Sequence, residues 1–265
     1  MPPTAGGPAR FVFLHGLGAT SRYWTCTRPR RPDAAYIDLF GFGGSPRPLV
    51  RYTLSRHLAM LRTVLSGQRG YVLVGHSLGA ALALAYAARH PDDVDGLVLL
   101  GLPHYGTRRA AVRWLRQHPS GWITTNLAAT AVACVLTRRV LGPLLPRLLP
   151  DYPRVIAEDL VAHNVLSSTT SLWEVLYGHD LAVDAVALAD HILVYAVHGN
   201  QDTTAPITRV RTLAAARGWQ FVELDGIGHH PWLHAPAACD QALADVATVS
   251  CRSARRPVTA PEGSS

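Results

Sequence analysis

Three residues, in one order along the chain, have the types that nucleophilic catalysis needs: Ser77, Asp202 and His229. Ser77 sits in Gly75-His76-Ser77-Leu78-Gly79, directly after the apolar run Tyr71-Val72-Leu73-Val74 and before the Ala/Leu-rich stretch from Ala80 to Ala88. A G-x-S-x-G between a strand and a helix forms a nucleophile elbow, a sharp turn that lifts the serine hydroxyl above the sheet edge. Gly75 and Gly79 lack a Cβ, so strand and helix can close on each other, and Ser77 is expected in a strained backbone conformation. A serine hydroxyl needs a base to take its proton and an acid to orient that base. Asp202 ends Val197-His198-Gly199-Asn200-Gln201-Asp202, and His229 ends Gly226-Ile227-Gly228-His229. Each follows an apolar run, which puts all three at the carboxyl ends of parallel strands, where open α/β sheets place their sites. His230 comes next; the register after Gly228 favours His229 as the base, and geometry decides between them.

The elements that must position these residues alternate. Strands are expected at Phe11–Leu14, Ala34–Leu39, Tyr71–Val74, Val94–Leu100, Ile192–Val197 and Trp219–Leu224. Helices lie between them, as in a parallel sheet covered on both faces. The first strand runs into His15-Gly16-Leu17-Gly18, a flexible turn whose Leu17 amide can join that of Leu78 as donors to a developing oxyanion. Asp38-Leu39-Phe40-Gly41-Phe42-Gly43-Gly44-Ser45 is a sharp loop in which Asp38 and Ser45 hydrogen-bond locally. Thr53 caps a helix reaching Ser66. Residues 103–190 read as helices broken by prolines, too long for a simple loop, and are expected to form a helical lid over a core made of 1–102 and 191–250. Of its aromatics, Tyr105, Trp114, Trp122, Trp173 and Tyr177 are pocket candidates, Trp173 foremost. His104, just past a strand end, is the other candidate for substrate contact. Residues 1–9 and 251–265 read as loose, polar or Pro-rich ends.

Composition narrows the classes. All 25 basic residues are arginine, and the formal charge is +7. The positive charge lacks the dense clusters of a nucleic-acid footprint, so no nucleic-acid partner is expected. It is uneven, however: Arg108, Arg109, Arg113, Arg116, Arg138, Arg139, Arg147 and Arg154 face a single acid, Asp151, between residues 103 and 154. Residues 155–190 hold acids and no arginine. Solvated helix faces explain this asymmetry most simply; a basic lip for an anionic substrate or an acyl carrier is the sharper alternative. The most apolar long run, Trp122 to Leu136, carries Thr124, Thr125, Asn126 and Thr130 and is shorter than the ~20 residues a membrane span needs, so a buried or lid helix is expected and no span. Cys26, Cys134, Cys239 and Cys251 show no metal or disulfide spacing, and no leader pattern opens the chain. A reduced, cytoplasmic protein without metal or cofactor is expected.

The segments Leu14-His15-Gly16-Leu17-Gly18, Asp38–Ser45, Gly75–Gly79, His198–Asp202 and Gly226–His229 together resemble the α/β-hydrolase superfamily, in its lid-bearing branch of esterases, carbon–carbon bond hydrolases, haloperoxidase-like enzymes and epoxide hydrolases. The resemblance runs from residue 11 to residue 236. It implies Ser77 as nucleophile, Asp202 as acid, His229 as base and the Leu17 and Leu78 amides as oxyanion hole. Serine at the elbow argues against dehalogenases and epoxide hydrolases, which use aspartate there. Only a short segment precedes the first strand, so the family's N-terminal strand pair is expected to be missing, leaving about six strands. His234 stands before Ala235-Pro236 where the family often has an acid. The reaction implied is cleavage of a carboxylic ester or thioester of a small to medium, partly apolar molecule through an acyl-enzyme. Carbon–carbon hydrolysis or a biosynthetic cyclase or lyase reaction on the same triad, and a non-catalytic small-molecule receptor, are the alternatives.

Overall fold

The structure, a computed structural model, describes residues 10–253 except 120 and 151. The sequence's loose start, residues 1–9, lies outside the described residues, as do residues 254–265 of its expected tail.

Alternation within short apolar runs builds the sheet. In β1 (Phe11–Leu14), Val12 and Leu14 pack on one side while Phe11 and Phe13 pack on the other. The same period of two recurs in β3 (Tyr71–His76), where Leu73 and Val74 face opposite layers, and in β4 (Val94–Leu100), where Leu99 and Val98 do. With β2 (Ala34–Ile37), β5 (Leu193–Gly199) and β6 (Gln220–Leu224), these strands form one fully parallel six-stranded sheet, in the order β2-β1-β3-β4-β5-β6. Every strand of the central pair is buried on both faces, as a parallel sheet requires. Burial of each such Val or Leu side chain stabilises the fold by ~1.5–3 kcal/mol.

Strand β2 stops at Ile37, two residues before the apolar run ends. The Leu39 N–H leaves the ladder and donates to His15 Nε2 (3.0 Å), while His15 Nδ1–H donates to the Gly16 carbonyl (2.8 Å). The Asp38 carboxylate accepts from the Ser21 N–H (2.6 Å) and the Gly44 N–H (2.8 Å), and Ser45 Oγ donates to the Asp38 carbonyl (2.5 Å), so Asp38 works within its loop as expected.

On one face lie α1 (Leu54–Val64), whose N-cap Thr53 accepts from the Arg56 N–H, and α2 (Leu78–Arg89), buried from Leu78 to Ala87. Between β4 and β5 come α3 (Arg108–Leu115), α4 (Gly121–Thr124), α5 (Leu127–Leu136), α6 (Leu145–Leu148), α7 (Arg154–Asp159), α8 (Val165–Thr170) and α9 (Leu181–Ala187). This is the helical insertion. Its last helix, α9, packs on α2 and joins the main core, because Asp184, almost fully buried, pairs with Arg89 of α2 (2.7 Å) and His179 (2.5 Å). Asp159, also buried, accepts from Thr20 Oγ1 (2.5 Å) and pairs with Arg22 (2.8 Å), fastening α7 to the loop after β1. Two acids of the stretch 155–190 are therefore buried anchors, not the solvated face expected.

Two further expectations are corrected here. Helical residues continue past Leu136 through a π turn (Thr137–Leu141), a 3₁₀ turn (Gly142–Leu144) and α6, so Leu127–Leu148 is one run of 22 residues whose most apolar 18-residue stretch has mean hydropathy 1.4 and is 11 % buried. By length and composition alone it is long and apolar enough to cross a membrane, which leaves the expectation of no span untested; the run is longer than expected and lies in the lid mostly exposed. Proline does not end it, because Pro143 and Pro146 occupy first-turn positions, where the missing N–H costs nothing. After β5, α10 (Ile207–Arg217) returns to the first face. A short α11 (Pro231–His234) leads into α12 (Pro236–Ser253), which packs on the second face and extends three residues into the stretch 251–265 read as a loose tail.

Candidate active site

Ser77 is the one non-glycine residue with positive φ among the described residues, at φ 51° and ψ −112°. Such a conformation costs of order 1–3 kcal/mol and persists only where the surroundings dictate it. They do so through contact. A Cβ on Gly79 would stand 2.0 Å from the Leu14 carbonyl oxygen, and one on Gly75 would stand 2.4 Å from the Gly79 carbonyl oxygen. Strand β1, strand β3 and helix α2 therefore meet with no side chain between them, and the turn is pinned.

His229 and Asp202 come together from the loops after β6 and β5. His229 Nδ1 lies 2.7 Å from Asp202 Oδ2. His198, at the end of β5, approaches the same oxygen at 3.1 Å, and the other oxygen, Oδ1, accepts from the Thr204 and Ala205 N–H groups at 2.7 and 2.9 Å. Burial alone would raise the Asp202 carboxyl. The adjoining His229 charge and hydrogen bonds from His198 and His229 outweigh it and hold the carboxyl far below the usual carboxylate range. Asp202 is therefore a fixed anion, and His229, with Nδ1 committed to it, has Nε2 left to exchange a proton.

His230 takes a different place. Its Nδ1 lies 3.4 Å from the Tyr23 hydroxyl, and its ring stacks edge-on against Tyr152. Burial, helped by the neighbouring His229 and His234, lowers it to about 3, so it is neutral at pH 7 and has no carboxylate partner among the described residues. Of the two neighbouring histidines, His229 is the one that meets Asp202.

Ser77, His229 and His230 line one cavity of about 460 Å³ with Gly16, Leu17 and Tyr23. The cap supplies the opposite wall, mainly Leu115, Leu149, Ile156, Leu160, Leu172 and Leu176. The size and the mostly apolar lining suit a small-molecule site. Leu17 lines it, and its amide takes no part in the turn's own backbone bonding, where the Ala19 N–H donates to the Gly16 carbonyl (3.2 Å). Leu78 opens α2, so its N–H has no intrahelical acceptor. Leu17 lines the cavity beside Ser77 and Leu78 directly follows it; neither amide has a backbone acceptor in the turns among the described residues.

The two substrate-contact candidates fall outside. His104 is buried and does not line the cavity, whereas Pro103 and Tyr105 do: extended backbone turns alternate residues to opposite sides. Trp173 packs edge-on against Tyr177 (centroids 5.5 Å apart) beneath the Arg108 guanidinium (5.7 Å), leaving Leu172, Leu176 and Tyr177 on the cavity side of that helical turn. Tyr23, His118, Tyr152 and the pocket position of His230 were not picked out from sequence, since no spacing rule reveals which side chains two separate segments turn toward a shared hollow. Among the described residues no His, Cys, Asp and Glu cluster has metal-site geometry.

The sheet and the elbow are those of the α/β-hydrolase fold, and residues 9–235 match the alpha/beta hydrolase fold family; the chain belongs to it. A probable lysophospholipase of Arabidopsis thaliana, BODYGUARD 1, is 31 % identical over 74 % of this chain and 49 % of its own length. The chain spans about half the length of that relative and of BODYGUARD 2. A thermophilic esterase from Thermogutta terrifontis superposes with a TM-score of 0.67 at 20 % identity, over 92 % of each chain. The enol-lactonase from Burkholderia xenovorans LB400 does so at 0.66 and 23 %, over 93 % of this chain and 94 % of its own. Those two likenesses concern the fold.

Proposed function

We propose that the protein is a serine hydrolase that cleaves a carboxylic ester or thioester with an apolar acyl part. The observation that carries this reading is the strained Ser77 sharing one cavity with a His229 whose Nδ1 is held by the Asp202 carboxylate. In the reaction, His229 Nε2 takes the Ser77 proton as Oγ attacks the acyl carbon. The Leu17 and Leu78 amides receive the oxyanion. His229-H⁺ then passes the proton to the departing alkoxide or thiolate, leaving an acyl-serine. Water, deprotonated by His229, attacks that ester; the acid leaves and Ser77 regains its proton.

The name of the Arabidopsis relative, a probable lysophospholipase, supports a fatty acyl substrate, as does the leucine-rich cap wall. A second reading, carbon–carbon hydrolysis, draws on the Tyr23–His230 pair, which could deliver a proton to a carbon leaving group. Products separate the two, since ester cleavage releases an alcohol or thiol.

The test is covalent labelling with a fluorophosphonate and peptide mapping of wild type, Ser77→Ala, His229→Ala and His230→Ala. Label on Ser77, lost in the first two variants and retained in the third, is expected. A folded wild-type protein that takes no label would sink the proposal.

A further inference from the structure

Nine of the thirteen exposed large hydrophobic side chains among the described residues lie between Trp122 and Leu148 of the cap. Five of them form a row at four-residue intervals: Val132, Leu136, Val140, Leu144 and Leu148. On an α-helix such a row drifts slowly around the axis. The π turn at Thr137–Leu141, which packs an extra residue into its turn, retards that drift and keeps the row on the outer side. The inner side of the same run is engaged: Thr130 Oγ1 donates to the Ile123 carbonyl (2.8 Å), Cys134 Sγ meets His163 (3.3 Å), and Leu145 is buried. The run, ~33 Å long at 1.5 Å per residue, therefore lies across the cap with one face down and one face out.

Charge gives the outer face its sign. From residue 96 to residue 150 the chain has no acid. Arg138, Arg139 and Arg147 are exposed along the run, and none makes an ion pair among the described residues. Trp122 stands 60 % exposed with the Arg116 guanidinium 4.4 Å above its ring. A row of aliphatic side chains beside free arginines and an exposed tryptophan is the composition of a helix that lies in a lipid headgroup layer. The same segments wall the cavity: Gly121 and Thr124 line it while Trp122 and Ile123 face out, and Leu149 lines it while Leu148 faces out.

We propose that the outer face of Leu127–Leu148, with Trp122 and Ile123, docks in the headgroup layer of an anionic lipid bilayer and sets the cap wall of the cavity against the lipid. Arginines near an anionic surface add to the apolar burial and make the attachment salt-sensitive. The helix lies on the bilayer and does not cross it, since its inner face is already occupied and Arg138 and Arg139 sit at its middle.

The experiment is vesicle flotation of the full chain with phosphatidylcholine alone and with added phosphatidylglycerol. Wild type is expected to float with the mixed vesicles at low salt and not with phosphatidylcholine alone. Val132→Glu combined with Val140→Glu, both well exposed and away from the cavity, is expected to abolish flotation with an unchanged circular dichroism spectrum. Arg138→Ser with Arg139→Ser is expected to weaken partitioning roughly 30-fold, the contribution of two surface arginines. Equal flotation with both lipids, or none with either, overturns the proposal. So does sedimentation showing a dimer that V132E/V140E dissociates without any flotation, which would assign the face to a second copy. Retention of bound protein after an alkaline carbonate wash overturns it too, in favour of a span.

Discussion

His76 Nε2 lies 2.8 Å from the carbonyl oxygen of His229. The residue before Ser77 therefore donates a hydrogen bond to the backbone of His229. Burial, with the nearby His230 and His229, pushes His76 well below its ordinary value, so the ring is neutral and Nε2 carries its proton. The hydrogen bond ties the elbow to the loop after β6 across 153 residues of sequence.

Replacing His76 with alanine is expected to lower kcat/KM on a soluble ester about 100-fold through displacement of His229. His76→Gln, whose amide N–H can still donate, should recover much of the loss. Equal losses in both variants, at matched thermal stability, would show that the contact does not position the base.

Asp202→Asn should leave the fold intact and reduce kcat by ~10⁴, because an amide no longer selects the Nδ1–H tautomer of His229 or balances its positive charge. Steady-state kinetics with p-nitrophenyl butyrate measure this, and a loss below ten-fold would reassign the acid.

Gly79→Ala sets a Cβ 2.0 Å from the Leu14 carbonyl oxygen, a backbone atom that cannot swing aside. The expected cost is more than ~4 kcal/mol, in the range of exceptional substitutions. Gly67→Ala is the control: its φ is +77° but no atom lies within 4 Å, so it pays the left-handed backbone cost alone, ~1–2 kcal/mol. Urea unfolding of the two variants should separate them clearly.

Acid should unfold this protein early. Burial is the leading cause that takes His15, His57 and His163 from 6.5 to about 4, and His230 to about 3. Folded values below unfolded ones mean that the unfolded chain binds more protons in between. Their stabilisation is complete above pH 6.5 and is lost as pH falls toward 4. Each group contributes a slope of up to ~1.4 kcal/mol per pH unit, and four together can exhaust a typical stability of ~5–15 kcal/mol within a few units. The urea midpoint followed from pH 7.5 to pH 4.5 should fall steeply below about 6.5; a flat profile would mean that these rings stay accessible to protons.

If the leucine-rich cap wall receives the acyl chain, kcat/KM for p-nitrophenyl esters should rise with chain length, since a buried methylene contributes ~0.8 kcal/mol, roughly four-fold in rate. The rise should level off once the cavity of about 460 Å³ is filled. A preference for acetate over octanoate would contradict the assignment of that wall.

Much of this was legible in the sequence because the rules involved are local. Alternating or continuous apolar runs placed all six strands, and G-x-S-x-G between strand and helix placed the elbow whose φ of 51° the structure shows. What the sequence did not reveal depends on partners distant in the chain. Strand β2 ended early because His15 captured the Leu39 N–H. Asp159 and Asp184 looked like surface acids and are buried against Arg22 and Arg89. His104 and Trp173 had suitable chemistry but the wrong side of their backbone. The long cap run continues past Leu136 because Arg138 and Arg139, which break its apolar pattern, face solvent.

The order of residues along the chain also sets when the site comes into being. The elbow is complete once β4 has emerged during synthesis, but Asp202 follows only after the whole cap and β5, and His229 only after α10 and β6 as well. A ribosome-bound fragment ending within the cap would carry the Ser77 turn without Asp202 and His229. Protease nicking of the cap would likewise leave the serine on one fragment and the acid–base pair on the other. A working triad would therefore require that segments on both sides of the cap, as far as His229, have been made and have found each other.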